Sequence, residues 1–416
     1  MNSLQSSAFN LAPPPTLQWQ PVQISSFTAR AGRAYPCNTT SAAFTVTLPA
    51  SASAGDQITI TDYAGTFQTN ALTINPNGLK IQGEASSISV GIKRASVDLV
   101  YVDATQGWVV WAGFAVASLG EAPTSVEYVV VGGGGGGGNG GGGGGGAGGY
   151  RTDSSFSVAK NTSYTVTIGA GGAGKSTASN GSGAIGNDSV FSTITSYAGG
   201  YGGGGQSFAS GGSSSASGGG GGGAGSGTAG AGTGNSPSQS PQQGNSGGTG
   251  YASPGVIAIG GGGGGSNLSP AATGGNAQSS SPYLAGNGGA GTASTITGSS
   301  MTHCGGGGGG LYSTGGTVGS GGAGGGGNGA SNTNPGNAGT ANLGGGGGGG
   351  GGTGGGGGNG GAGVVIIAYS NIYASLASVG AGLTCNGSAG NTTPDTSSRP
   401  GYKVYTFTNG TGSISW

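Results

Sequence analysis

Val126-Glu127-Tyr128-Val129-Val130-Val131 runs without a break into Gly132–Gly138, and Gly360-Gly361-Ala362-Gly363 runs without a break into Val364-Val365-Ile366-Ile367-Ala368-Tyr369. Both apolar segments are rich in β-branched residues and bounded by glycine, which reads as strand. They flank a long glycine region symmetrically. They are expected to pair with each other and with Tyr164-Thr165-Val166-Thr167-Ile168. Phe191–Ile194 and Val256–Ile259 read as extensions of the same sheet. Between them recur glycine runs: Gly218–Gly223, Gly260–Gly265, Gly305–Gly310 and Gly344–Gly352.

From Ser189 to Pro394 the chain has no Asp, Glu, Lys or Arg. Its ionisable groups there are His303, the thiols of Cys304 and Cys385, and tyrosines. Such a segment cannot supply a metal cage, a carboxylate pair or a Ser-His-Asp triad. That excludes most enzyme chemistry and leaves structure or binding, with no cofactor and no metal. Over the whole chain glycine is 111 of 416 residues, against roughly 7% in average proteins. Ten basic and ten acidic residues cancel, so there is no electrostatic footprint for nucleic acid or an anionic membrane. Apolar runs are too short to span a bilayer, and the first residues lack the pattern of a signal peptide. Cys37, Cys304 and Cys385 are odd in number and scattered, which reads as buried free thiols rather than a disulfide framework.

Glycine runs of this kind fail the collagen test, because there is no strict Gly-X-Y period. They can still form left-handed three-residue helices, which have no internal hydrogen bonds. Every N–H and C=O must then find a lateral partner, and neighbouring runs can supply it. Without side chains the runs can approach closely. The expectation is a polyglycine-II helical bundle capped by short strands, and such packing needs small, uncharged residues. Those that interrupt the runs fit: Asn139, Ala147, Ala224, Ala323, Asn328, Thr353 and Asn359.

The chain divides into an arm at 1–20 with Pro13–Pro15 and Trp19, a β-domain at 21–119, the glycine module at 120–370, and a C-terminal segment at 371–416. The β-domain reads as a sandwich-like module from its alternating segments, Phe44–Leu48, Ile58–Ile60, Leu72–Ile74, Ile88–Val90, Val97–Tyr101 and Trp108–Trp111, with turn residues between them. Tyr402–Phe407 and Ser413–Trp416 are expected to form a hairpin across Asn409-Gly410-Thr411-Gly412. No α-helix of note is expected anywhere; the fold class is mainly β.

The sequence Val126–Gly132, the closing Gly360–Ile367, the internal Thr165–Gly172 and Ser189-Val190-Phe191 together resemble the glycine-rich domain of tailed-bacteriophage tail fibres and adhesins. The stretch Phe44–Trp111, with Thr47-Leu48-Pro49, Ala54-Gly55-Asp56 and Gly107-Trp108, resembles a β-domain of phage fibres. The resemblance implies a virion tail protein, synthesised in the host cytoplasm, that attaches the virion to a bacterial surface glycan or outer-surface protein. It also implies assembly as a homotrimer, contact with other tail proteins through the arm, and recognition through loops between glycine helices. Candidate loops are Gly205–Ser217, Asn235–Asn245, Ser266–Leu284, Met301–Cys304, Leu311–Val318 and Ala330–Ala338. They carry the candidate receptor-binding residues Phe208, Tyr283, Met301, His303, Leu311 and Tyr312.

Other readings compete. A purely structural virion component, such as a capsid fibre or baseplate connector, explains the same composition without a receptor. A disordered Gly/Ser linker and an ice-binding bundle are the blander options, but the linker lacks net charge and the runs lack a regular repeat. Gly169–Ser176 has the spacing of a nucleotide loop, yet the residues after it cannot form the required helix. His303 beside Cys304 suggests a nucleophile pair, against the simpler reading of a surface-loop histidine.

Overall fold

The computed structural model describes residues 17–113, 122–177, 179–205, 210–212, 215–223, 227–253, 257–267, 272–280, 282–313, 315–352 and 354–416. Phe208 and nearly all of the arm lie outside these residues. The chain separates into two compact units, Met1–Glu121 with Ser370–Ala374, and Ala122–Tyr369 with Ser375–Trp416.

In the first unit, two sheets enclose one core. Strands Gln18–Trp19, Arg33–Cys37, Gln57–Asp62, Ser96–Asp103 and Gly107–Gly113 form one sheet; Phe27–Thr28, Thr45–Thr47, Leu72–Asn75 and Ile88–Val90 form the other. Alternation in the sequence sets the inward set, which includes Val46, Leu48, Ile58, Ile60, Leu72, Ile74, Val97 and Leu99. Asp62 is buried, and its carboxylate accepts the N–H groups of Gly65, Thr66, Phe67 and Arg94, fixing the loop that inserts Phe67 into the core. Gly107 closes the last hairpin at φ 70°, where a Cβ would strike the Lys80 carbonyl. Arg33–Cys37 is a strand that sequence reading did not expect.

The second unit begins and ends in strands. Ser125–Val131 pairs antiparallel with Val364–Ser370, as expected, placing Val131 opposite Val364. Tyr128–Val131 and Val364–Tyr369 are buried on both faces, which is why these parts read as continuous apolar runs. Tyr164–Thr167 does not join them. It lies in a second sheet between Ser189–Phe191 and Thr411–Ser415. The expected C-terminal hairpin is likewise corrected. Tyr402–Asn409 adds to the first sheet and Thr411–Ser415 to the second, so the chain crosses between sheets at Gly410, φ 92°. The reason is the ring cluster that this split completes: Tyr128, Phe156, Phe191, Tyr164, Trp416, Tyr369 and Tyr405 make successive contacts at centroid separations of 4.9–6.4 Å. Arg399 bonds both oxygens of Glu127, at 2.7 and 3.1 Å, and its guanidinium lies 3.5 Å over the Tyr402 ring.

Between these strands the described residues contain no helix, and the chain is mainly β. The helical polyglycine-II elements expected from the sequence are not among its assigned elements. The glycine runs belong to neither α-helix nor strand and are cross-linked sideways. Segment 142–149 lies at the centre. Gly143, Gly144 and Gly145 donate to Gly203, Gly261 and Gly347, while the carbonyls of Gly144, Gly145 and Gly146 accept from Gly220, Gly307 and Gly135, all at 2.8–3.0 Å. These partners belong to six different segments, 132–138, 344–351, 305–310, 260–265, 218–223 and 199–205. In that order each bonds the next, and the last bonds the first. The result is a closed hexagon around one run.

A second ring surrounds it, made of segments 170–175, 183–187, 210–212, 230–235, 245–250, 272–277, 286–291, 319–323, 325–330, 336–340 and 357–363. Successive segments reverse direction. Turns therefore collect at a near end, beside the two sheets, and at a far end, away from them. The array has no room for side chains. A Cβ on Gly145 would collide with the Gly135 carbonyl, and one on Gly347 with the Gly358 carbonyl.

Gly347→Ala is therefore expected to cost about 3 kcal/mol or more, because a rigid backbone carbonyl must move. Gly315, with nothing within 4 Å of its Cβ position, is the control. Urea unfolding should separate the two variants, and equal stabilities would contradict the packing.

Candidate functional site

The sequence-predicted site residues divide between the two ends of the array. Met301 and His303 precede run 305–310, and Leu311 and Tyr312 follow it, so six extended residues, roughly 20 Å, separate them. Strand Met301–His303 pairs antiparallel with Thr292–Ser294 at the near end. Met301 is exposed, but His303 is not the surface-loop residue expected. It is 1% exposed, tilted against the Tyr150 ring at 6.3 Å between centroids, and its Nδ1 has no hydrogen-bond partner. Burial lowers its pKa to about 4. Neighbouring Cys304 is fully buried, its Sγ donates to the Gly149 carbonyl at 3.3 Å, and burial raises its thiol pKa. A neutral imidazole and a protonated, inaccessible thiol do not form a nucleophile pair.

The far end does assemble several of the expected residues. Ile259, Ala285 and Leu311 form a small buried cluster, with Tyr251, Ala277, Tyr283 and Val318 half-buried against it. The backbone explains the convergence. Tyr283-Leu284 pairs with Gly316-Thr317, Leu311 bridges to Ile259 and Ser331, and the Tyr312 N–H donates to the Ala258 carbonyl at 2.9 Å. Three loops distant in sequence thus meet, bringing Tyr251 and Tyr283 together against Leu311, while Tyr312 joins them through its backbone and sets its ring beside Gly352. Tyr251 and Ile259 were missed as site residues. Gly250–Ser253 and Ile257–Ile259 belong to a separate three-stranded far-end sheet with Gly227–Ala229, not to the sheet in which sequence reading placed Val256–Ile259. The available signal was the short alternation Tyr251-Ala252 and Ile257-Ala258-Ile259 between two glycine runs.

A family model described as a glycine-rich domain matches residues 112–370. The chain belongs to this family. Comparison with curated proteins gives no match.

Elsewhere in the glycine-rich domain, the nucleotide-loop reading of Gly169–Ser176 fails on its amides. Gly172 and Lys175 donate to Gly134 and Gly137, and Gly174 donates to Asn359 Oδ1, leaving these amides no role in a phosphate cradle. A shallow open groove of about 610 Å³ lies beside it, lined by Thr167–Ala170 and Gly186–Asp188. Asp188 Oδ1 there accepts the Ala198 N–H at 2.7 Å, which commits it to structure.

His303 makes stability depend on pH. Its folded pKa lies below the ordinary value, so the unfolded chain binds a proton that the folded chain refuses. Stability is expected to be full above pH 6.5 and to fall as pH drops toward about 4, by roughly 3 kcal/mol in all. His303→Gln should flatten this slope in urea unfolding. A slope equal to that of the wild type would show that other groups cause it.

Proposed function

We propose that this chain is a bacteriophage tail-fibre or adhesin protein that attaches the virion to its bacterial host through the far-end loops. The observation that carries the reading is the convergence of Tyr251 and Tyr283 around Leu311 and Ile259, with Tyr312 next to Leu311 in the chain, at the end of the array remote from its sheets. Tyrosines present an apolar face and a hydroxyl at low entropic cost, suited to a surface glycan or protein. No charged residue lies between Ser189 and Pro394, so attraction there rests on short-range stacking and hydrogen bonding. The glycine runs serve as polyglycine-II helices, a rigid mount for these loops. The three-residue period of the lateral bonds supports this. Gly132, Gly135 and Gly138 donate to one neighbour, Gly133 and Gly136 to a second, Gly134 and Gly137 to a third.

The fibre is a homotrimer joined through its N-terminal unit, with the arm contacting other tail proteins. Exposed large apolar residues on that unit support the trimer: Trp19 at 65%, Ile24 at 73%, Tyr63 at 55% and Trp111 at 60%. The rival reading, a virion component without receptor binding, draws on the half-burial of Tyr283, which packs its ring partly against Leu311 and its neighbours.

Two measurements follow. Purified chain should block phage adsorption with little dependence on salt, and Tyr251→Ala with Tyr283→Ala and Tyr312→Ala should weaken the block at least about tenfold while the chain remains folded. Full inhibition by this triple variant favours the structural role. Light scattering should give three times the 38.3 kDa chain mass, reduced by Ile24→Ser with Trp111→Ser. A monomeric wild-type chain would remove the trimer.

A further inference from the structure

The second ring of the glycine array has one position that no described segment fills. A complete second ring around a hexagon has twelve positions, and the described segments occupy eleven. The open position lies outside segment 199–205, between segments 183–187 and 210–212. Segment 199–205 sends the amides of Gly199 and Gly202 to 132–138, and those of Gly200 and Gly203 to Ser217 and Gly220. By the same three-residue period, the remaining set, Ala198, Tyr201 and Gly204, points toward the open position.

Outward amides elsewhere on the rim are held by side chains of flanking segments. Asn359 Oδ1 takes Gly174, Asn287 Oδ1 takes Ser320 and Asn328 Oδ1 takes Gly321, at 2.8–2.9 Å. At the open corner the stand-ins are incomplete. Asp188 takes Ala198 at 2.7 Å and Ser182 Oγ takes Gly204 at 3.2 Å, but the Tyr201 N–H has no acceptor among the described residues. A segment added to a flat face of the array would touch two runs. Here it would touch three, with one backbone donor already waiting.

We propose that this corner is a docking groove for an extended, small-residue polypeptide, which would lie along segment 198–204 as a nineteenth run and accept the Tyr201 N–H through a backbone carbonyl. Small residues are required because the flanking backbones leave no space for side chains on the inward face. The half-buried Tyr201 ring lies against Gly212 and covers part of the corner. An incoming peptide must turn this ring outward, which weakens but does not forbid binding.

The test titrates the full, ¹⁵N-labelled chain with a blocked glycine-rich peptide as long as segment 198–204. Saturable shifts confined to the amides of Ala198, Tyr201 and Gly204 are expected. Tyr201→Gly should tighten binding about tenfold by clearing the corner, and Tyr201→Trp should abolish it. The proposal fails if neither wild type nor Tyr201→Gly shows saturable shifts, or if shifts spread evenly over the rim. It also fails if Tyr201→Trp binds like wild type, or if a neutral oligosaccharide reproduces the shifts and the peptide does not. The wild-type titration decides even if a variant does not fold.

Discussion

A buried backbone without side chains must satisfy its own amides, and the rest of the second unit depends on how it does so. Each residue brings one donor and one acceptor, and an unpaired buried group costs about 1–3 kcal/mol. Glycine also loses more conformational freedom on folding than any other residue, close to 1 kcal/mol relative to alanine. An isolated run has nothing to offset this. A run enclosed by six others does, because its donors and acceptors alternate around the circle, as those of segment 142–149 do with its six partners. Stability is therefore collective. The two sheets at the near end supply the conventional part, an aromatic and β-branched core that holds the first and last runs in register.

The same constraint limits where function can sit. Inside the array a Cβ meets a carbonyl oxygen at almost every position, so recognition chemistry is displaced to the turns. Charge is excluded for the same reason, since an ion in a lattice of committed amides would have no partner. Near-end turns are close to the sheets and carry buried polar groups such as His303, Ser196 and Ser217. Far-end turns build a small apolar cluster with tyrosines around it. Asparagine has a distinct part. At Asn287, Asn328 and Asn359 its side-chain carbonyl imitates the backbone of a missing neighbour, which closes the rim without adding a run.

Much of this was legible in the sequence, because strands announce themselves by alternation. Leu72–Ile74, Val97–Tyr101 and the pairing of Val126–Val131 with Val364–Ala368 follow from pattern alone. The glycine runs announced small-residue packing. What pattern could not supply was sheet membership. Tyr402–Phe407 and Ser413–Trp416 read as one hairpin, but Gly410 lets the chain change sheets so that Phe407 and Ile414 are buried in different ones. The candidate residues divide between two ends for a related reason. Loops on either side of one run look adjacent in sequence, yet a run of six extended residues places them at opposite ends. Counting reversals along the runs would have separated His303 from Tyr312. Tyr251 escaped notice because a lone tyrosine between glycine runs gives no sign of which loop it will meet.

Hydrogen exchange at the backbone amides of segment 142–149 tests the central claim most directly. If this segment is the enclosed centre of a hydrogen-bonded array, Gly143–Gly148 will exchange as slowly as Val129–Val131 in the neighbouring sheet, although the segment has only one side chain larger than hydrogen, that of Ala147. Exchange of Gly143–Gly148 at the rate of exposed turns, with the sheet still protected, would contradict the account.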